Sequence, residues 1–188
     1  MSKVIAGLGL AAFIAIAALF APPRGDIVLP SATPFVAPAQ PSSATPAATT
    51  ATPPIPPGYR IQIPRLGIDL AILEGDVGRD TQQQQTPENY AFHLPGTAIP
   101  GTGANSYIYA HARRGMFLSL WDARVGDVVW ISTPDGRALR YVVTEVHPKV
   151  APDDVTWTAP SPPDRLTLQT STGPNPGDPR FVVIAQPS

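Results

Sequence analysis

Three residue types near the C-terminal end of the sequence suit acyl transfer. His111 follows the run Asn105-Ser106-Tyr107-Ile108-Tyr109-Ala110, Ser171 closes Thr167-Leu168-Gln169-Thr170, and Arg180 opens Phe181-Val182-Val183. Transfer from an amide needs a nucleophile, a proton donor for the leaving amine and a donor for the carbonyl oxygen as it becomes an oxyanion. A strand-end Ser, a strand-end His and a strand-start Arg could supply all three from neighbouring strands. Serine is the demanding member of the set. A thiol ionises readily beside a cation, whereas a hydroxyl must lose its proton to a neutral, well-oriented His during attack. A carboxylate usually provides that orientation, and Asp122, Asp153 and Asp154 are its candidates, none singled out by spacing.

Each residue also has an ordinary reading. Ser171 can cap a strand end, Arg180 can be a surface arginine, and His111 can be a satisfied polar residue at a barrel rim. His93 and His147 read as structural. His147 precedes Pro148 in an expected loop, and no third residue stands at metal-ligand spacing. Asp153-Asp154 reads as a solvated loop pair in preference to a cation site. No metal and no cofactor is expected.

The elements that would position these residues read as strands. Arg60–Ile63 alternates polar and apolar before Pro64-Arg65-Leu66-Gly67 breaks it, and Ile68–Leu73 is a second run. Ser106–Ala110 is a third. Val128–Ile131 and Leu139–Val143 flank Pro134-Asp135-Gly136, a strong hairpin signal. Arg165–Gln169 alternates again, and Phe181–Ala185 is the most apolar strand. One short helix is expected at Met116–Ala123. Seven or eight short strands separated by turn residues indicate an all-β closed barrel or sandwich.

This folded segment spans 58–188. Upstream, residues 22–57 are Pro, Ala, Ser and Thr with almost no charge and no period of 2 or 3.6, so they read as a disordered spacer. Proline would hold that spacer extended, at ~3.1 Å per residue, giving a reach on the order of 100 Å. Residues 1–21 carry one Lys3 before the unbroken apolar run Val4–Ala21. At ~1.5 Å per residue, that run can cross a bilayer core. A retained single-pass transmembrane anchor is expected over a cleaved signal peptide, with the C-terminal domain outside the cell. Composition excludes other classes. The 188 residues hold 13 basic and 14 acidic side chains with no basic block, so no nucleic-acid partner is expected. The chain has no cysteine, which excludes disulfides, Cys-ligated zinc and thiol catalysis.

Three stretches resemble sortases, the bacterial cysteine transpeptidases that join surface proteins to cell wall or pilins. His93-Leu94-Pro95-Gly96-Thr97-Ala98-Ile99-Pro100-Gly101, followed by Asn105–His111, resembles the family's Pro-Gly turn and the strand ending in its catalytic His. Thr167-Leu168-Gln169-Thr170-Ser171 matches the Thr-Leu-x-Thr-Cys signature except in its last position. Arg180-Phe181-Val182-Val183 resembles the catalytic Arg and its strand. The resemblance implies a sortase-type barrel of seven to eight strands with one or two short helices. It implies His111 as general acid, Arg180 as oxyanion donor, Thr170 as a substrate-binding residue and Ser171 in the nucleophile's place. Val146–Asp164 would be the loop shaping the groove. Implied partners are a peptide sorting signal and an amine acceptor from cell wall or pilin. Ala110-His111-Ala112-Arg113 also departs from the family's frequent Gly-His-Arg. Two readings remain: a transpeptidase or hydrolase using Ser171, or an inactive sortase-like domain that binds peptide or scaffolds a partner.

Overall fold

In the computed structural model of the chain, residues 52–188 are described. The expected anchor at 1–21 and the spacer as far as residue 51 lie outside them. Among the described residues no helix is long and apolar enough to cross a membrane.

Eight strands form: β1 Arg60–Ile63, β2 Ile68–Glu74, β3 Tyr90–His93, β4 Asn105–Tyr109, β5 Val128–Ser132, β6 Ala138–Val150, β7 Arg165–Ser171 and β8 Arg180–Pro187. They close into one barrel in the order β1-β2-β3-β4-β7-β8-β6-β5. The β2/β3 and β4/β7 pairs are parallel and the others antiparallel. Closure leaves no free sheet edge to be covered. Inside sit Ile61, Ile63, Ile72, Ile108, Val129, Ile131, Leu166, Leu168 and Val183, each 1 % exposed or less. Three short 3-10 turns (Pro64–Leu66, Phe117–Asp122, Val155–Thr158) and one π turn (Gly78–Gln82) decorate the barrel. The expected helix near Met116–Ala123 is the six-residue 3-10 turn, anchored by buried Phe117 and Leu120.

Strand alternation decides what faces the site. Along β7, Leu166, Leu168 and Thr170 are fully buried inside the barrel, so Thr167, Gln169 and Ser171 take the outer face. Along β8, Phe181, Val183 and Ala185 belong to the main core. Arg180, Val182 and Ile184 therefore share the outer face with Ser171. There Val182 and Ile184 form a second small cluster with Val150 and Trp157.

Two expectations about elements are corrected. β3 was not expected; its four residues have no alternation and lie buried from Ala91 to His93. The groove-shaping loop is shorter than Val146–Asp164, because β6 runs on to Val150 and pairs with β8 through two register shifts. His147 is therefore a strand residue. It bonds Glu145 at 2.9 Å and lies against Trp157, with ring centroids 4.5 Å apart and planes tilted by 53°. The hairpin at Pro134-Asp135-Gly136 forms as expected, with Gly136 at φ +83° closing a 3.0 Å bond to Thr133.

Candidate functional site

The parallel β4/β7 pair sets Tyr109 beside Gln169, and the antiparallel β7/β8 pair sets Ser171 opposite Arg180. Beyond β4, the Ala110 amide still bonds the Gln169 carbonyl at 3.3 Å, so the chain reaches His111 alongside β7. Ser171, His111 and Arg180 thus come from three adjacent strands to one end of the barrel. All three line an open groove of about 860 Å³. Tyr107, Tyr109, Trp121 and Trp157 are among the residues that line it.

Ser171 and Arg180 touch. Arg180 Nη1 donates to Ser171 Oγ at 3.2 Å and to the Asp178 carbonyl at 3.1 Å, and Nη2 donates to the Pro176 carbonyl at 3.0 Å. The β7–β8 loop therefore clamps the guanidinium where charge would develop beside the hydroxyl. The Ser171 proton goes elsewhere: Oγ donates to the Gly173 carbonyl at 2.6 Å. Trp121 Nε1 donates to the Ser171 carbonyl at 3.2 Å, which pins the end of β7 from outside.

His111 has a different partner from any expected. Its Nε2 lies 2.8 Å from the Thr86 carbonyl. A carbonyl only accepts, so Nε2 carries the proton. None of the three candidate carboxylates orients the ring. Neither Asp122 nor Asp153 has a hydrogen bond to it, and Asp154 accepts from Thr156 and Trp157 within its own turn. The Asp154 carboxyl is held below its usual range by these Thr156 and Trp157 donors.

Thr170 was expected to hold substrate. It is fully buried, and its hydroxyl donates to the Ala110 carbonyl at 2.9 Å. It ties the end of β7 to the residue before His111, so it sets the spacing of the site from beneath and does not face the groove. The alternation that points Ser171 outward points its neighbour inward.

His93 is fully buried, with Nδ1 2.9 Å from Glu74 Oε2 and Nε2 2.9 Å from the Ala98 carbonyl. It fastens the turn after β3, in keeping with a structural role. Tyr107 and Tyr109 present phenols to the groove. Burial pushes Tyr107 up to about 12, with Arg180 opposing the rise. Burial, and then the hydrogen bond to Asp80, pushes Tyr109 up further.

Sequence reasoning missed Trp121, Tyr109, Asp80 and Thr86. Trp121 stands in the one helical stretch that was recognised, where an aromatic reads as core. Thr86 acts through its main chain, which no side-chain pattern reports.

Comparison with known proteins places this geometry in a family. Residues 61–188 match the family model of the Sortase domain. The lid mutant of Sortase A from Corynebacterium diphtheriae is 32% identical, with a TM-score of 0.60 over 71% of this chain and 70% of that one. Sortase C-1 from Actinomyces oris is 27% identical, with a TM-score of 0.58 over 69% of this chain and 73% of that one. The Sortase D5 transpeptidase of Clostridium perfringens is 25% identical, with a TM-score of 0.58 over 71% and 82%. No curated protein matches the sequence.

Proposed function

The chain belongs to the sortase family, and from that premise we propose that it acts at the cell surface on peptide sorting signals, with Ser171 in the nucleophile's position. The observation that carries the reading is the convergence of His111, Ser171 and Arg180 on one groove from three adjacent strands. A peptide laid along the β4/β7 face would present its scissile carbonyl to Ser171. Arg180, already donating to Oγ, would meet the carbonyl oxygen as it gains charge. As Ser171 Oγ adds to the carbonyl its proton would pass to His111, which would hand it to the leaving amine as the C–N bond breaks. An amine acceptor from cell wall or pilin, or water, would then take the acyl group and return a proton through His111 to Ser171 Oγ. The run Val4–Ala21 would serve as a retained single-pass anchor, and the Pro-rich residues that follow it as a spacer that places the barrel domain outside the membrane.

One observation favours a second reading, a sortase-like domain that grips peptide with little or no turnover. The hydroxyl proton of Ser171 is engaged by the Gly173 carbonyl, and that of His111 Nε2 by the Thr86 carbonyl. Neither contact joins nucleophile to base, which serine catalysis requires. A fluorophosphonate probe separates the two. Labelling at Ser171 supports a serine enzyme. No labelling, together with saturable binding of sorting-signal peptides, supports the binding domain. No labelling and no peptide binding would remove both.

A further inference from the structure

We propose that Asp80 is a positioning residue: it pins the strap between β2 and β3 so that the Thr86 carbonyl holds His111 with Nδ1 free as its proton-exchanging nitrogen. The consequence for chemistry rests on the role of His111 proposed above; the positioning itself does not.

The strap runs over 75–89 and has no hydrophobic hold of its own. None of residues 76–89 is buried, so packing does not fix it. What is buried is one carboxylate, that of Asp80, with its side chain 1% exposed. Its oxygens accept from Arg79 Nε at 2.5 Å and Nη2 at 2.8 Å, from the Asp76 amide at 3.1 Å, and from the Tyr109 hydroxyl. Three of these donors shape the strap on itself, and Arg79 also covers the Phe92 ring on β3 at 5.0 Å. The fourth, Tyr109, stands at the end of β4, two residues before His111. Asp80 thus joins the strap to the strand that delivers the histidine. A buried carboxylate with several donors is an expensive group to leave half satisfied, so the joint is directional and strong.

The strap's entry is built to the same tolerance. The Gly75 amide bonds the His93 carbonyl at 2.8 Å, and a Cβ on Gly75 would lie 2.3 Å from the Tyr109 hydroxyl oxygen. Only glycine lets the chain pass there. At the exit, Glu88 pairs with Arg113 and the Asn89 amide bonds Met116 Sδ at 3.4 Å. Between these ends, Thr86 meets His111.

The chemistry follows from the kind of acceptor. A carboxylate beside a catalytic His both fixes its tautomer and steadies the imidazolium that forms; a main-chain carbonyl fixes the tautomer with little of that charge support. With Nε2–H committed to Thr86, and no hydrogen bond at Nδ1 among the described residues, Nδ1 is the nitrogen left to take or give a proton. In that tautomer Nδ1 is a lone pair, so the ring must first take a proton there before it can pass one to a leaving amine.

The test is histidine nitrogen NMR of the full-length, 15N-His-labelled chain at neutral pH, with His111→Gln identifying the signal. The expected result is a single Nε2–H pattern for His111. In Asp80→Ala its two nitrogen shifts should converge toward the average of both tautomers. Tyr109→Phe, which removes one hydroxyl from the same joint, should move them the same way by less. His93, enclosed by Glu74 and Ala98, should keep its shifts and so reports that the barrel is intact. If Asp80→Ala does not fold, Tyr109→Phe alone decides. A wild-type His111 that is Nδ1–H or already averaged, or unmoved shifts in the variants that fold, overturns the proposal. Should His111 respond as stated while no peptide is bound or cleaved, the functional reading fails and the positioning stands.

Discussion

At the scale of single residues, the decisive atom is the one at Ser171. Its Oγ accepts from a guanidinium and is hydrogen-bonded to no base, which is an arrangement for stabilising a thiolate and a poor one for activating a hydroxyl. Ser171→Cys changes little in volume at a strand end and should leave packing nearly as it is. The expected outcome is that the variant forms an acyl-enzyme with peptides of the Leu-Pro-x-Thr-Gly type, seen by mass spectrometry, while the native chain forms at least ~100-fold less, the scale of a lost acid–base partner. Equal rates in the two proteins would mark a true serine enzyme. The guanidinium makes a second expectation at the same atom. In the Ser171→Cys background, Arg180→Ala should raise the thiol pKa toward the ordinary ~8.5, read from the pH dependence of iodoacetamide alkylation. An unchanged profile would mean that Arg180 does not act on the nucleophile. That Ser171, His111 and Arg180 would meet on one groove was legible in the sequence, because short strand motifs preserve the order in which they appear. Thr170 was misread because a motif gives adjacency in sequence, whereas strand alternation sends adjacent side chains to opposite faces.

At the scale of elements, the polar joints between turns matter as much as the strands. Arg65, in the 3-10 turn after β1, grips both oxygens of Asp127 before β5 and also bonds the Asp122 carbonyl at 2.6 Å. The Arg65 hydrogen bond holds the Asp127 carboxyl below its usual range against the opposing effect of burial. The sign of the linkage is therefore fixed. A depressed folded value gives stability that is present above the unfolded carboxylate pKa of ~3.9 and is lost as pH falls through the lower folded value. Asp127→Asn should melt below wild type at pH 7. The gap should narrow as pH falls below ~3.9, in calorimetric melts taken at successively lower pH. A gap constant with pH would mean that the ionised carboxylate contributes nothing. The alternating strands were readable because one buried face imposes period 2, as in Arg60–Ile63 and Arg165–Ser171. β3 and the far half of β6 were not. β3 is buried on successive residues and shows no alternation, and Pro148 in β6 signals a break that the register shift between His147 and Val150 absorbs. The strap at 75–89 was invisible because one carboxylate holds it, and a single Asp in a polar run carries no periodic signal.

At the scale of the whole molecule, the question is where the folded body stops and what tethers it. The patternless composition up to Pro57 places the boundary at Gly58, yet Ile55 is 6% exposed within the core and its amide donates to Glu74 Oε2 at 2.8 Å. The same Glu74 oxygen holds His93, so the segment before Gly58 supports the turn that follows β3. A chain beginning at Gly58 should therefore fold and still be weaker than one beginning at Thr52. Losing Ile55 should cost about 1.5–3 kcal/mol of apolar burial, read as a lower midpoint in urea. Identical midpoints would mean that Ile55 adds nothing to the domain. The tether is the last expectation. Val4–Ala21 is 18 residues without a charge, behind Lys3; at ~1.5 Å per residue that is ~27 Å, a match to the bilayer core. A signal peptide would end in small residues at a cleavage site, and Leu19-Phe20-Ala21-Pro22 is a poor one. Lys3 and the terminal amine favour an N-terminus inside, against the weaker pull of Arg24, and that orientation would put the barrel outside the cell. Expressed in a bacterial host, the full chain should sediment with membranes, resist carbonate extraction and lose its barrel to protease added to intact spheroplasts. A soluble exported protein whose mature N-terminus maps near Pro22 would show a cleaved signal instead. A membrane-bound protein protected in spheroplasts would reverse the orientation and remove the proposed access to surface substrates.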